Sequence, residues 1–252
     1  MVNPARHFDI AIVGGGLNGA ALALALKDSP YRVALIEPRP PQAPVDDDGW
    51  DARIFAFSPG NVAWLDGLGG WRDPVRAQPV HAMRITGDGG ASLHFDGLDA
   101  GLGELAFIAE NGRLQAALWQ ALPDNVSVVT AALDAVQWGA SRHRLRLADG
   151  SEIEADLLVA ADGADSWLRR QAGIALDVED YHHVGVVANF ACEKAHRGTA
   201  FQWFDGASVL AYLPLPGRRI SVVWSSPSDL APARLALSPE ALSTLITDLR
   251  CA

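Results

Sequence analysis

The sequence predicts a mixed α/β fold in two parts: a βαβ region that opens the chain, then a region dominated by antiparallel strands. Three observations predict it. Phe8 to Glu37 reads as strand, glycine turn, helix and second strand. Leu157 to Ala161 is a further unbroken apolar run, ending abruptly in Asp162-Gly163. From Val184 onward four apolar, β-branched and aromatic stretches follow one another, and helix signals vanish until Ser238.

The first segment carries Gly14-Gly15-Gly16-Leu17-Asn18-Gly19 between the strand FDIAIV and an Ala/Leu-rich helix. In that context G-x-G-x-x-G is a Rossmann-like dinucleotide fingerprint rather than a chance glycine run. Gly14 permits the tight turn, Gly16 lets a pyrophosphate approach the backbone, and Gly19 lets the helix pack on the sheet. The helix opening near Leu17 points unpaired N–H groups and its positive end at the phosphates. Glu37 ends the second strand about 20 residues later, where a carboxylate accepts hydrogen bonds from both ribose hydroxyls. A 2′-phosphate would be repelled there, which disfavours NADP at this site. The stretch from Phe8 to Leu26 is apolar enough to suggest a membrane segment. Its four glycines, Asn18 and the acid-ended strand after it favour a buried βαβ unit. A basic n-region and a cleavage site are both lacking, which speaks against a signal peptide.

Composition narrows the class. The hydrophobic fraction of 49% suffices for one large domain or two modest ones. A formal net charge of -10 and the lack of a Lys/Arg cluster argue against nucleic acid. The two cysteines, Cys192 and Cys251, form neither a disulfide framework nor a metal spacing, which suits a reducing, cytoplasmic setting. His182-His183 reads as strand-flanking surface, and no metal site is expected.

After Glu37 the connector PRPPQAPVDDDGWD is too polar and proline-rich for the core and is expected as a surface loop. Ser58 and Pro59 start a helix that the glycines at 67, 69 and 70 end. Val80 to Phe95 forms a hairpin turning at Asp88-Gly89-Gly90. A short strand over Phe107 to Ala109 precedes a helix capped by Asn111, with Leu114, Ala117, Leu118 and Leu122 on one face and Pro123 as its stop. RLRLADGSEIEAD alternates about Asp149-Gly150, a two-residue hairpin signal. Leu157 to Ala161 is expected as a buried parallel strand. Asp162 to Ser166 then opens the helix WLRRQAG. VGVVANFA, TAFQWF, SVLAYLPL and RISVVWS are strands of an antiparallel sheet, and Ser238-Pro239-Glu240 cap a last helix through Leu249. The change near Gly173 marks the expected domain boundary: 1–173, with an excursion at 76–98 toward the second domain, and 174–252.

Asp162-Gly163 ends a buried strand on the sheet edge where ligands bind. Alone it reads as an ordinary strand-to-helix turn; with the fingerprint it reads as a second cofactor contact. DLLVAADGADSWLRRQAGI resembles the Asp-Gly motif of the single-component flavin-dependent aromatic hydroxylases, the group typified by p-hydroxybenzoate hydroxylase, and most of all the ubiquinone-biosynthesis hydroxylases. DARIFAFSPGNVAWLDGLGGW, ENGRLQAAL and AFQWFDGASVLAYLPLPGRRISVVWS are similar to their corresponding tracts. The resemblance implies an FAD-binding domain with a β-sheet substrate domain. It also implies FAD held by Gly14, Gly16, Gly19 and Glu37, arginines near the pyrophosphate at Arg53 and Arg113, and the cofactor's middle portion held by Asp162 and Gly163. The implied reaction is a monooxygenation: NAD(P)H reduces the flavin, and O2 supplies the oxygen that hydroxylates an electron-rich, polyprenylated phenol. The cofactor carries that chemistry, so spacing names no catalytic side chain. Trp203, Tyr212 and Trp224 read as core aromatics ahead of pocket residues. A lipid-tailed aromatic substrate implies contact with the inner membrane or a ubiquinone-biosynthesis complex, without a transmembrane segment.

The family's third motif, a Gly-Asp pair before a His/Pro-rich stretch, does not occur after Trp224. The start at Met1 reads as native and the end, lacking that motif, as curtailed: a fragment or truncated product, or a divergent short form, with weak FAD binding and little hydroxylase activity expected for this chain alone. Two rivals stand beside the hydroxylase: a non-catalytic homologue that binds a nucleotide or partner, and an NAD-dependent dehydrogenase, which shares only the first fingerprint.

Overall fold

A computed structural model describes residues 6–42, 49–72 and 76–251, with side chains described as far as 248. The loop expectation for 43–48 lies outside the described residues. In chain order the elements are β1 (Arg6–Val13), α1 (Leu17–Ala25), β2 (Val33–Ile36), β3 (Ile54–Phe57), α2 (Pro59–Leu68), β4 (Gln78–Val80), β5 (Ala82–Thr86), β6 (Ser92–Asp96), β7 (Ala106–Glu110), α3 (Asn111–Gln120), β8 (Val126–Val129), β9 (Leu133–Gln137), β10 (His143–Leu147), β11 (Glu152–Ala160), α4 (Trp167–Gln171), β12 (His183–Ala191), β13 (Thr199–Asp205), β14 (Ser208–Leu215), β15 (Arg219–Pro227), α5 (Ala231–Leu235) and α6 (Pro239–Cys251). The chain forms two compact units: unit 1 comprises 1–46, 63–75 and 112–177, and unit 2 comprises 47–62, 76–111 and 178–252. Unit 2 therefore takes in 47–62 and 99–111 as well as the 76–98 stretch.

Unit 1 is built on a six-stranded sheet ordered β8-β2-β1-β11-β10-β9. β1 lies parallel between β2 and β11, with Ile12 opposite Leu35 and Val159. The apolar residues of β1 and β2 are buried because helices and strands cover both faces, as a parallel sheet requires. On one side Ile10, Ile12, Val33 and Leu35 pack with Ala23 of α1 and with Trp119 and Leu122. On the other, Ala11, Val13 and Ile36 pack with Leu145, Ile153 and Leu168. α1 fits tightly because its buried face is small: Gly19, Ala20, Ala21 and Ala23 beside Leu24.

Two sequence expectations change in this unit. The β10–β11 hairpin encloses three residues rather than two, since the Leu147 N–H bonds the Ser151 carbonyl and the Gly150 N–H closes on Leu147. Gly150 sits at φ +82, so it takes the left-handed position that ends a three-residue loop. The apolar run at 157–161 is indeed a strand parallel to β1, but it is not wholly buried. Leu157 is 52% exposed, because β10 pairs with β11 only as far as Ala155 and leaves the later residues uncovered on that side.

Unit 2 contains a six-stranded sheet ordered β12-β15-β14-β13-β5-β6 and a small sheet β3-β7-β4. The strands expected to form an antiparallel sheet do so, and the hairpin of the 76–98 stretch joins them. β12 to β15 are antiparallel, but β13 lies parallel to β5, so the β5–β6 hairpin extends the sheet. One face packs Val186, Leu210, Val222 and Trp224 against Ala231 of α5 and Ile246 of α6. Trp203 and Tyr212 pack edge to face at 4.8 Å, and the Tyr212 hydroxyl donates to the Ile246 carbonyl at 3.1 Å. Trp224 is buried under the Arg234 guanidinium, 3.6 Å from its ring. These aromatics belong to the core.

Candidate nucleotide site at the glycine turn

The glycine turn and the Asp162-Gly163 turn, 148 positions apart in numbering from Gly14 to Asp162, meet in unit 1. The Ala161 N–H donates to the Val13 carbonyl at 2.7 Å, so β1 and β11 end side by side. Gly14, at φ +103, lies against the Ala161 carbonyl and the Asp162 backbone, so closely that a Cβ there would overlap both. A Cβ on Gly19 would overlap the Gly14 carbonyl oxygen. At Gly16 a Cβ would meet nothing within 4 Å. The turn is thus jammed on its protein side and open at its middle glycine.

Gly16 caps α1 and no side chain satisfies the first N–H groups of that nine-residue helix. Free N–H groups and the positive end of a helix at such a turn suit an anion. Glu37, just after β2, is fixed by two backbone donors. Its Oε2 accepts the Gly15 N–H at 2.8 Å and its Oε1 accepts the Arg39 N–H at 3.0 Å. Each oxygen keeps a lone pair for a further donor.

Asp162 is half-buried. Its Oδ2 accepts the Leu168 N–H at 3.1 Å, while its buried Oδ1 has no hydrogen-bond partner among the described residues. Gly163, at φ +91, leaves open space beside it. Ser166 caps α4 by accepting the Arg169 N–H at 2.9 Å. Burial by itself raises the Asp162 carboxyl, but the nearby Ser166 hydroxyl and the backbone N–H groups of Leu168, Asp162 and Trp167 outweigh it and hold the group below the ordinary carboxylate value. A depressed folded-state value contributes stability above the unfolded value of about 4, and that contribution is lost as pH falls through the folded value. The urea midpoint is therefore expected to fall with acidification below about pH 4, and the Asp162→Asn variant to show a shallower fall. Equal slopes in the two proteins would remove Asp162 from the acid response.

Arg113 is buried on α3. Arg53 is exposed and belongs to unit 2, where its guanidinium lies 5.5 Å from the Phe55 ring and its N–H donates to Asp51 Oδ1 at 2.8 Å. The residues gathered at the turn are thus Gly14, Gly16, Gly19, Glu37, Asp162 and Gly163. Two more side chains join them that the sequence reading missed. Gln115 Nε2 and Trp119 Nε1 both donate to the Gly15 carbonyl, at 2.9 and 2.8 Å. Their i, i+4 spacing on α3 places both on one face, and that was the available signal.

His7, Asp9 and Asp156 bring ligand-type atoms within 4.8 Å of one another. Both acids are already engaged: Arg32 lies 3.6 Å from Asp9 and Arg142 lies 3.1 Å from Asp156, so the group is a surface ion-pair cluster. Among the described residues no helix is long and apolar enough to cross a membrane.

No protein-family model matches the chain. It is 35% identical over 239 residues to the ubiquinone hydroxylase UbiL of Rhodospirillum rubrum, covering 92% of this chain and 55% of that protein. It is 36% identical over 233 residues to the 3-demethoxyubiquinol 3-hydroxylase of Escherichia coli, covering 90% and 58%. Among solved structures, PqsL of Pseudomonas aeruginosa, described as a probable FAD-dependent monooxygenase, matches 92% of this chain and 64% of its own with a TM-score of 0.74 at 23% identity. HpxO of Klebsiella pneumoniae, complexed with FAD and uric acid, matches 94% and 64% with a TM-score of 0.67 at 19% identity. The chain spans little more than half the length of these curated relatives. Over that span it is a sequence relative of the ubiquinone-biosynthesis hydroxylases, built on the fold of the FAD-dependent monooxygenases.

Proposed function

We propose that unit 1 binds FAD and that the chain serves the hydroxylation of a phenolic, polyprenylated ring in ubiquinone biosynthesis, with NAD(P)H and O2 as co-substrates. The observation that carries the reading is the meeting of an uncapped glycine turn with Asp162, whose buried Oδ1 is an acceptor without a donor. The residues present fit the cofactor. The N–H groups at Gly16 and the start of α1 suit its pyrophosphate, the fixed Glu37 carboxylate suits the adenosine ribose, and Asp162 Oδ1 suits a hydroxyl of the middle portion beside the clearance at Gly163. Arg53 and Arg113 are assigned to the pyrophosphate by resemblance.

When bound, the flavin supplies the redox and oxygen chemistry. The protein's tasks are to position it, to orient the phenol and to exclude water. Glu37 favours an unphosphorylated ribose at the turn, so FAD rather than NADP occupies it. In this reading 1–173 form the cofactor domain and 174–252 the substrate domain. The lipid-tailed substrate brings the protein to a membrane surface or into a biosynthetic complex.

Titration of the purified chain with FAD, followed by flavin fluorescence and absorbance, tests the cofactor assignment. Saturable one-to-one binding, competed by ADP and not by 2′,5′-ADP, is expected. Binding of NADH with none of FAD would instead establish the dehydrogenase reading. Phenol-dependent oxidation of NAD(P)H, with hydroxylated product, tests the reaction.

A further inference from the structure

We propose that Gln115 and Trp119 are positioning residues that aim the Gly16 N–H at the cofactor's pyrophosphate by gripping the peptide before it. The inference rests on the FAD reading of the turn. The Gly15–Gly16 peptide is planar and trans, so its C=O and its N–H point in opposite directions. The Gly15 carbonyl is taken by two donors from one face of α3, the indole Nε1–H of Trp119 at 2.8 Å and the carboxamide of Gln115 at 2.9 Å. The Gly16 N–H is thereby turned away from α3, and it donates to nothing among the described residues. It points from a residue beside which a Cβ would meet no atom within 4 Å.

The grip is rigid on both sides of Gly15. Its own N–H is bound by Glu37 Oε2 at 2.8 Å. The Trp119 ring lies flush against it, because a Cβ on Gly15 would overlap the indole and press on the Glu37 side chain. Trp119 is in turn packed against the Ile10, Ile12, Val33 and Leu35 core, which fixes the direction of its N–H. Were this peptide to flip, two donors on α3 would lose their acceptor, and a carbonyl oxygen would face the phosphates in place of a donor. The fold thus builds the anion-binding N–H indirectly, from a helix about 100 residues downstream.

Trp119→Phe and Gln115→Met keep the packing and remove one donor each. FAD affinity is expected to fall about fivefold in each and about twentyfold in the double variant, at a temperature where all the proteins are fully folded. A merely structural role would lower the melting temperature and leave the affinity of the folded protein unchanged. That result would overturn the inference. A second readout does not depend on FAD: in 15N-labelled protein, inorganic pyrophosphate is expected to shift the Gly16 amide resonance in the wild type and much less in the double variant. If the wild type binds no FAD but pyrophosphate shifts Gly16 in this way, the cofactor reading fails and the positioning role stands. If pyrophosphate leaves Gly16 unmoved in the wild type, or moves it equally in the double variant, the positioning role fails.

Discussion

Replacing Glu110 by alanine is expected to lower stability by about 3 kcal/mol, read as a lower urea midpoint with an unchanged slope. Glu110 closes β7 and is only 1% exposed. Its Oε1 accepts the Asp51 N–H at 2.7 Å and an Arg76 Nη2–H at 3.1 Å, and its Oε2 lies 2.8 Å from Arg76 Nε. Arg76 is committed to this place. It also donates to the Gly49 carbonyl at 2.7 Å, lies 4.1 Å from the Trp50 ring, and adopts φ 44, a strained value for a side chain with a Cβ. Without Glu110 the guanidinium loses its counter-charge in a mostly dry setting, and the Asp51 N–H loses its acceptor. Removing one partner of a buried pair costs about 3–5 kcal/mol. The partial exposure of Arg76 puts the expectation at the lower end. Glu110→Gln keeps an acceptor for Asp51 and should cost less than half as much. A Glu110→Ala unfolding free energy within about 1 kcal/mol of wild type would show that water replaces the carboxylate without difficulty. Asp51 also receives the Asn189 side-chain N–H on its carbonyl at 3.1 Å and the Arg53 N–H on its carboxylate. The network fixes the backbone from which Arg53 projects.

What was legible in the sequence divides by range. Signals that act within four residues read through to the structure. Ser58 accepts the Asn61 N–H before α2, Ser238 accepts the Ala241 N–H before α6, and the turn at 88–90 joins β5 to β6. In each case the chemistry is complete inside one turn of chain. The βαβ opening read through as well, because its strands are continuously apolar and its glycines stand at fixed spacing. Pairings made at a distance did not. Nothing in TAFQWF marks β5 as its parallel neighbour, and nothing in the run from Leu157 says that β10 stops short of it. The candidate site shows the same division. Gly14, Gly16, Gly19 and Glu37 are expected together from motif spacing, and Asp162-Gly163 from its place at a strand end read beside them; the structure brings these six to one turn. Gln115 and Trp119 are not expected there, since a polar and an aromatic residue on an amphipathic helix read equally well as surface and core. Glu110 reads as a charge at the end of a strand until Arg76 and Asp51 are seen around it.

The three glycines of the fingerprint are expected to fail differently when each is changed to alanine, and Gly16→Ala is the one that weakens binding while leaving the fold intact. Gly16 has φ -65 and ψ -174, a conformation open to any residue, and an added Cβ meets nothing. Stability should therefore change by less than about 1 kcal/mol, mostly from a poorer helix cap. The methyl group fills the space that a pyrophosphate must enter, so FAD affinity should fall at least about fiftyfold, a loss of about 2.3 kcal/mol. Gly14→Ala and Gly19→Ala act on the fold first. Alanine at φ +103 is strained and would drive its Cβ into the Ala161 carbonyl and the Asp162 backbone. At Gly19 the obstacle is the Gly14 carbonyl, a backbone atom that cannot swing aside as a side chain does. Each should cost at least about 3 kcal/mol, with FAD binding and melting temperature lost together. Thermal unfolding and FAD titration of the three variants separate the two roles. A Gly16→Ala protein that keeps wild-type affinity would mean the phosphates do not approach this turn, and the cofactor would have to lie elsewhere in the chain. One that unfolds would mean the open space beside Gly16 is needed by the protein itself.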